Sequence, residues 1–78
     1  MFSIREEKII NIIGRKKLRI NDITFELFRE DKNAPFDSNI TVSNSIRRII
    51  KKCDYYKIGW TLEKNRKDGE ILVSKVNL

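Results

Sequence analysis

Histidine is absent from this 78-residue chain, and cysteine, proline and tryptophan occur once each. Without histidine, and with a single thiol, the chain has no internal ligand set for zinc and no imidazole base for nucleophilic catalysis. One cysteine also excludes an internal disulfide. Cys53 falls among apolar residues at helical spacing, so we expect a small buried hydrophobe rather than a reactive thiol.

Long apolar runs are also missing. No stretch approaches the roughly 20 residues of a membrane-spanning helix, and the opening MFSIREEK has the wrong charge order for a signal peptide. We therefore expect a cytoplasmic protein that does not enter a membrane. Carboxylate pairs such as Glu6 with Glu7, or Glu26 with Glu30, have no pocket-forming pattern around them. Accordingly no enzymatic activity, cofactor, metal or small-molecule substrate is expected.

The length allows one domain, residues 1–78, with a core that leaves only about 3–5 kcal/mol of net stability. The composition is 40% hydrophobic and 36% charged, which is typical of a folded chain rather than a disordered one. It is rich in Ile, Lys and Asn and poor in Ala, Gly and Pro, a bias typical of AT-rich genomes such as those of many viruses and mobile elements. Some lysines can reflect this bias rather than a binding function.

The net charge of +6 is unevenly distributed. Residues 41–67 hold eight basic and two acidic side chains, and residues 15–19 hold four basic and none acidic. Residues 22–37 are acidic on balance. Concentrated positive charge is the electrostatic signature of a nucleic-acid binder, so its location matters more than its total.

Two helices are predicted before residue 31. Ser3 fits an N-cap, Glu6 its capping-box partner and Gly14 the C-terminal stop of a first helix over 3–13. Alternation in RKKLRI predicts a short strand or extended connection, and Asn21 is a suitable cap for a second helix over 21–30. Isoleucines and leucines at helical spacing supply the inward faces of both: Ile9, Ile13, Ile23 and Leu27.

A third helix follows the loop DKNAPFDSN, where Pro35 and its neighbours favour turns. It is predicted to start at Asp37 or Ser38 and to run to about Asp54. Apolar side chains recur three and four residues apart and predict one buried stripe: Val42, Ile46, Ile49, Ile50 and Cys53. The same spacing turns polar and basic side chains outward: Asn44, Arg47, Arg48 and Lys51.

Beyond Tyr55 and Tyr56, of which we expect one to pack and one to be exposed, the period changes to two. Ile58, Trp60 and Leu62 then share one face of a strand, KNRKDG forms a turn, and EILVSKV returns as the second strand of a hairpin. The turn geometry can come from residue 65 or from the Asp-Gly pair at 68–69. The alternation favours a core role for the tryptophan over a stacking platform for single strands.

This order of helix, short strand, helix, loop, helix and hairpin resembles the winged-helix branch of the helix-turn-helix superfamily over nearly the whole chain. The sharpest local match is TVSNSIRRI at 41–49, which is similar to the Thr-Val-Ser opening and the apolar-basic-basic-apolar step of many recognition helices. The resemblance implies an α+β fold, a three-helix winged helix-turn-helix with a short strand and a C-terminal β-hairpin wing. It also implies that the helix at about 38–54 enters a DNA major groove and that the wing at 63–69 touches backbone or minor groove.

Candidate contacts follow from side-chain chemistry. The arginine fork suits guanine and the asparagine amide suits adenine, so Asn44 and Arg47 are the candidates for contacting bases. Ile40, if helical, either faces a thymine methyl group or closes over the core beside Phe36. The candidates for contacting the DNA backbone are two hydroxyl side chains and six cations: Thr41, Ser43, Arg48, Lys51, Lys52, Lys64, Arg66 and Lys67. Capping of the start of the helix explains the two hydroxyls equally well. For the six cations the alternative is simple solvation.

The expected partner is double-stranded DNA, with a second copy of the chain or a second protein needed for tight specificity. Such a protein would regulate transcription or replication. The alternative is a winged-helix protein-interaction module with no direct DNA role, which binds an acidic partner or uses the acidic helix 22–30 to bind a basic one. RNA as the ligand is also open.

Overall fold

The computed structural model describes residues 1–29 and 38–78. Within these ranges the elements follow in the order α1 (Ile4–Ile13), β1 (Leu18–Arg19), α2 (Ile20–Leu27), α3 (Ser38–Tyr56), β2 (Trp60–Lys67) and β3 (Glu70–Asn77). The described chain is therefore a small α+β domain. The predicted loop, including Pro35 and Phe36, lies outside the described residues, as do Glu30 and the alternative helix start at Asp37.

The predicted capping box of α1 is confirmed. The Glu6 amide donates to Ser3 Oγ at 3.1 Å, and the Ser3 amide donates to Glu6 Oε1 at 2.7 Å. At the other end Gly14 adopts a positive φ of 50° and its amide donates to the Ile10 carbonyl. Glycine enters this left-handed region without the penalty of a Cβ atom, which is why the helix ends there.

The predicted cap at Asn21 is wrong. Helix α2 begins one residue earlier, at Ile20, and Arg19 occupies the N-cap position without a side-chain capping bond. The cause is β1, which pairs Leu18 with Val73 and Arg19 with Leu72 and so holds the chain extended up to the first helical residue. The helix ends at Leu27 rather than continuing to residue 30.

Helix α3 confirms the predicted stripe and extends two residues beyond its predicted end. Val42, Ile46, Ile49 and Cys53 are fully buried, and Ile50 is half-buried against the same core. Ser45 is also buried, which the apolar pattern did not predict. The exposed, polar remainder of the helix faces away from the domain.

The predicted turn over KNRKDG is wrong, because β2 continues through Lys67 and pairs residue by residue with β3. Only Asp68 and Gly69 form the turn, with φ values of 52° and 80°, so the Asp-Gly alternative for the turn geometry is confirmed and the one at residue 65 is wrong. Two successive positive φ angles are characteristic of a type I′ turn, whose twist matches that of the flanking strands, and Asp-Gly is among its preferred sequences. The hairpin is therefore a regular two-stranded ribbon with a two-residue tip.

The three strands form an antiparallel sheet in the order β1-β3-β2. Leu62 and Val73 lie on the face that joins the buried cluster of the three helices. Residues alternate along a strand, so Trp60, Lys64 and Arg66 share the face of Leu62, and Lys67 lies on the opposite face. Among the described residues no helix combines the length and the apolar character that crossing a membrane requires.

Cys53 should be chemically inert in the folded protein. It is fully buried, and burial raises the pKa of its thiol, an effect only partly opposed by the hydrogen bond with Thr61 and the charge of Lys75. We expect iodoacetamide to label Cys53 at least about 100-fold more slowly in buffer than in denaturing urea, because labelling must wait for the domain to open. Mass spectrometry of timed samples measures both rates, and equally rapid labelling in buffer would show that the thiol is accessible.

Candidate nucleic-acid interface

One side of α3 is exposed along its length and is mainly polar and basic, with Ile40 and Tyr55 at its two ends. Positions 40, 44, 47, 48, 51 and 55 lie opposite the buried stripe, because residues three, four and seven apart share a helical face. We call this surface the α3 outer face; it is formed by exposed side chains only: Ile40, Asn44, Arg47, Arg48, Lys51 and Tyr55. All the α3 residues predicted to contact bases lie on it.

Within the described residues the cations of the α3 outer face form no ion pair, although the exposed Asp54 follows Lys51 by three residues on the same helix. In the ranges 1–29 and 38–78, no hydrogen bond or ion pair engages Arg47, Arg48 or Lys51, and the amide of Asn44 also makes none. Three positive charges and the side-chain amide of Asn44, which can both donate and accept hydrogen bonds, therefore lie on one helical face and make no contact of this kind with the described residues. Such an arrangement attracts an anionic ligand and offers it directional donors.

Lys52 is engaged elsewhere. Its Nζ lies 2.6 Å from Oε1 of Glu6, whose side chain is only 4% exposed, whereas the Lys52 side chain is 33% exposed. Burial raises the pKa of Glu6, but the hydrogen bonds from Lys52 and Ser3 and the charge of Lys52 outweigh it, so that this pKa lies below its ordinary value. The predicted backbone contact of Lys52 therefore competes with a pair that joins α1 to α3.

Thr41 and Ser43 lie inside α3 rather than at its start. The helix begins at Ser38, so neither hydroxyl is an N-cap, and the capping explanation does not apply to them. Both side chains are half-buried, on opposite flanks of the α3 outer face. Their hydroxyls border the basic surface from either side.

The three hairpin cations divide between the two faces of the ribbon. Lys64 and Arg66 are exposed and lie on the same sheet face as Leu62, the face that packs on the helices nearer the start of β2. Lys67 is exposed on the reverse face. No ion pair involves any of them in the described part of the chain. The turn prediction had placed all three together at the tip of the hairpin, whereas the regular pairing of β2 assigns them to two faces.

The aromatic side chains differ from their predictions in one respect. Tyr55 and Tyr56 are both exposed, at 79% and 48%, and their rings meet edge to face with their centroids 4.9 Å apart, so the expectation that one would pack in the core is wrong.

Trp60 is half-buried against the core, stacks on Phe2 with ring centroids 6.1 Å apart and has Lys75 Nζ 4.7 Å from its ring centroid. The predicted core role of Trp60 is confirmed. Sequence reasoning missed Tyr55 as part of the α3 outer face, although its position four residues after Lys51 indicates it.

The basic segment 15–19 is not equivalent to α3. Arg19 donates to both carboxylate oxygens of Asp22 at 3.0 and 3.1 Å and to Glu70 at 3.3 Å, which raises the pKa of Arg19 and lowers that of Asp22. The predicted acidic surface of the second helix is correspondingly weakened, since Glu26 also lies 3.7 Å from Arg29. Arg15, Lys16 and Lys17 remain exposed in the link after α1.

Comparison with protein-family models, with curated proteins and with solved structures found no match to this chain. The case for a function therefore depends on the geometry and charge of the α3 outer face and of the hairpin.

Proposed function

We propose that this chain is a winged-helix domain that binds duplex DNA and acts as a small regulator of transcription or replication. The observation that carries the proposal is the α3 outer face, where Arg47, Arg48 and Lys51 are exposed and have no acidic partner among the described residues. A second support is topological. The elements follow the winged-helix order, and the strand that precedes α2 pairs with the last strand of the hairpin.

The dimensions of α3 suit a major groove. With its side chains an α-helix is about 10–12 Å in diameter, which matches the roughly 12 Å width of that groove. The segment from Asn44 to Lys51 spans about two turns, or about 10 Å along the helix axis. Asn44 and Arg47 lie one turn apart and would contact adjacent base edges, the amide suiting adenine and the fork suiting guanine. Ile40 precedes Asn44 by one turn and is 60% exposed, so it offers an apolar contact for a thymine methyl group.

The remaining cations would fix the register on the backbone. Arg48 and Lys51 flank the base-contacting residues on α3, and Lys64 and Arg66 extend from the hairpin on the same side of the sheet as α3. Contacts of this kind position a protein on the duplex without distinguishing sequences. They also make binding sensitive to salt, because each neutralised phosphate releases counterion.

The dependence of duplex affinity on salt tests the proposal. We expect wild-type protein to bind a mixed-sequence duplex with a steep negative slope of log affinity against log salt. In the Arg47→Ala/Lys51→Ala variant the slope should become shallower by about one unit for each lost phosphate contact, hence by up to about two units. Fluorescence anisotropy between low and physiological salt measures the slopes.

A charge-matched control separates contact from net charge. The Lys8→Ala/Arg29→Ala variant removes two exposed cations, one on α1 and one just after α2, neither of which belongs to the α3 outer face, and should keep the wild-type slope. Equal effects of the two double variants would mean that binding follows net charge alone. Failure of the wild type to bind duplex DNA would favour the protein-interaction alternative, in which α3 binds an acidic protein.

A further inference from the structure

A second surface of the domain has the features of a contact between two copies of this chain. Phe25 is 67% exposed on α2, at the edge of a groove between α1, β1 and α2. The groove has a volume of about 390 Å³ and is lined by six residues: Ile12, Lys16, Leu18, Asp22, Phe25 and Glu26. None of them belongs to the α3 outer face or to the hairpin.

The apolar part of this surface is unexpected on physical grounds. Phe25 lies two residues from the buried Ile23, on the side of α2 that faces away from the core, so the fold does not use its ring. Ile12 and Leu18 are only half-buried beside it. A large exposed aromatic ring next to an apolar groove is typical of an interaction site, in which such rings act as anchors.

The polar part of the surface indicates a partner with the same surface. Lys16 contributes a positive charge to the groove and Glu26 a negative one. Asp22 also lines the groove but is already bonded to Arg19. Glu26, by contrast, makes only an exposed contact of 3.7 Å with Arg29. In a two-fold symmetric contact each copy presents the same patch, so a projecting group and its cavity must both lie on that patch, together with charges of both signs. This groove offers Phe25 as the projecting ring, a cavity beside it, and Lys16 and Glu26 as the charges that would pair between the two copies.

We propose that two copies of this chain associate through the Phe25 groove, with each Phe25 ring inserted between Ile12 and Leu18 of the other copy. The contact leaves the α3 outer face of both copies uncovered. It does not depend on the proposed DNA binding, since it can be measured without nucleic acid. A small contact with one anchor from each copy predicts a weak dimer, with a dissociation constant of roughly 10 to 100 μM.

Sedimentation equilibrium at increasing protein concentration tests this contact. We expect the mean mass of the wild type to rise from 9.3 kDa toward twice that value. The Phe25→Asp variant should remain monomeric at every concentration, because an aspartate in an apolar cavity is desolvated without a partner. The matched control Ile4→Asp alters another exposed apolar side chain, 76% exposed on α1, and should associate like the wild type.

Charge reversal gives a sharper readout than loss of association. Lys16→Glu alone and Glu26→Lys alone each place like charges together across the contact and should weaken the dimer. Lys16→Glu/Glu26→Lys restores the pairing with the signs exchanged and should recover it. The proposal would be overturned if the wild type were purely monomeric at about 1 mM, or if Phe25→Asp left the dimer intact. It would also be overturned if the loss of dimer affinity in the double charge reversal equalled the sum of the losses in the two single variants.

Discussion

Lys52→Met is expected to lower the free energy of unfolding by about 2 kcal/mol at neutral pH. The substitution leaves the carboxylate of Glu6 ionised and buried without its cation. Removing one member of a fully buried ion pair costs roughly 3–5 kcal/mol, and we reduce this figure because the Lys52 side chain is one-third exposed. For a domain of this size such a loss is about half of the total stability.

The dependence of this loss on pH has a definite sign. In the wild type the pKa of Glu6 is lowered, so the pair contributes stability that is complete above the ordinary carboxyl pKa of 4.5 and disappears as the pH falls through the folded value. Without Lys52 the pKa of Glu6 lies higher than in the wild type, because the hydrogen bond and charge of Lys52 are gone and only Ser3 still opposes the effect of burial. The free energy of unfolding that Lys52→Met loses relative to the wild type should therefore become smaller as the pH falls from 7 toward 4.

Urea unfolding at pH 7 and at pH 4 measures the effect. Glu6→Gln is the companion variant: its amide oxygen still accepts from the Ser3 amide, and the partly exposed Lys52 reaches water, so we expect a smaller loss of about 1 kcal/mol. The double variant Glu6→Gln/Lys52→Met should be more stable than Lys52→Met. A deficit of Lys52→Met that is constant with pH would show that lost packing, rather than an unpaired carboxylate, is responsible.

Local features of this fold could be predicted from the sequence, because their causes lie within a few residues. The capping box of Ser3 and Glu6 and the stop at Gly14 each follow from neighbouring side chains. The buried stripe of α3 likewise follows from its helical spacing, since only one face of an amphipathic helix can enter the core.

The errors occurred where distant residues decide the structure. The start of α2 at Ile20 depends on the pairing of Arg19 with Leu72, 53 residues further along the chain. The length of β2 depends on its hydrogen bonds to β3, which override the turn-like composition of KNRKDG. The Lys52 pair with Glu6 joins positions 46 apart, so no spacing rule within α3 indicates it.

In the candidate site, the α3 outer face could be predicted in the same way as the buried stripe of α3, because the residues that do not face the core must lie on the opposite side of the helix. Asn44, Arg47, Arg48 and Lys51 are exposed as the spacing predicts. The hairpin cations could not be assigned to faces before the extent of β2 was known, because side chains alternate between two faces only within a strand and residues of a turn have no such assignment.

Lys64→Glu/Arg66→Glu is expected to weaken duplex DNA binding on the order of 1,000-fold at 0.1 M salt. Each reversal removes a phosphate contact and adds repulsion from the same phosphate, and either effect alone is worth about tenfold or less. Both side chains lie on the sheet face of Leu62, and the proposed function assigns both to the DNA backbone. Both are exposed and in no ion pair of the described residues, so the fold should be unaffected.

Two adjacent residues provide the matched comparison. Arg66 and Lys67 are neighbours in β2, carry the same charge and are both exposed, but alternate to opposite faces of the ribbon. Arg66→Glu should weaken binding by roughly 30-fold, whereas Lys67→Glu, with the same change in net charge, should change it by no more than about threefold. Anisotropy titrations at one fixed salt concentration compare the two variants directly. If Lys67→Glu weakened DNA binding more than Arg66→Glu, the reverse face of the ribbon would be the one that approaches DNA. If neither variant changed the affinity, α3 would bind the duplex without the hairpin.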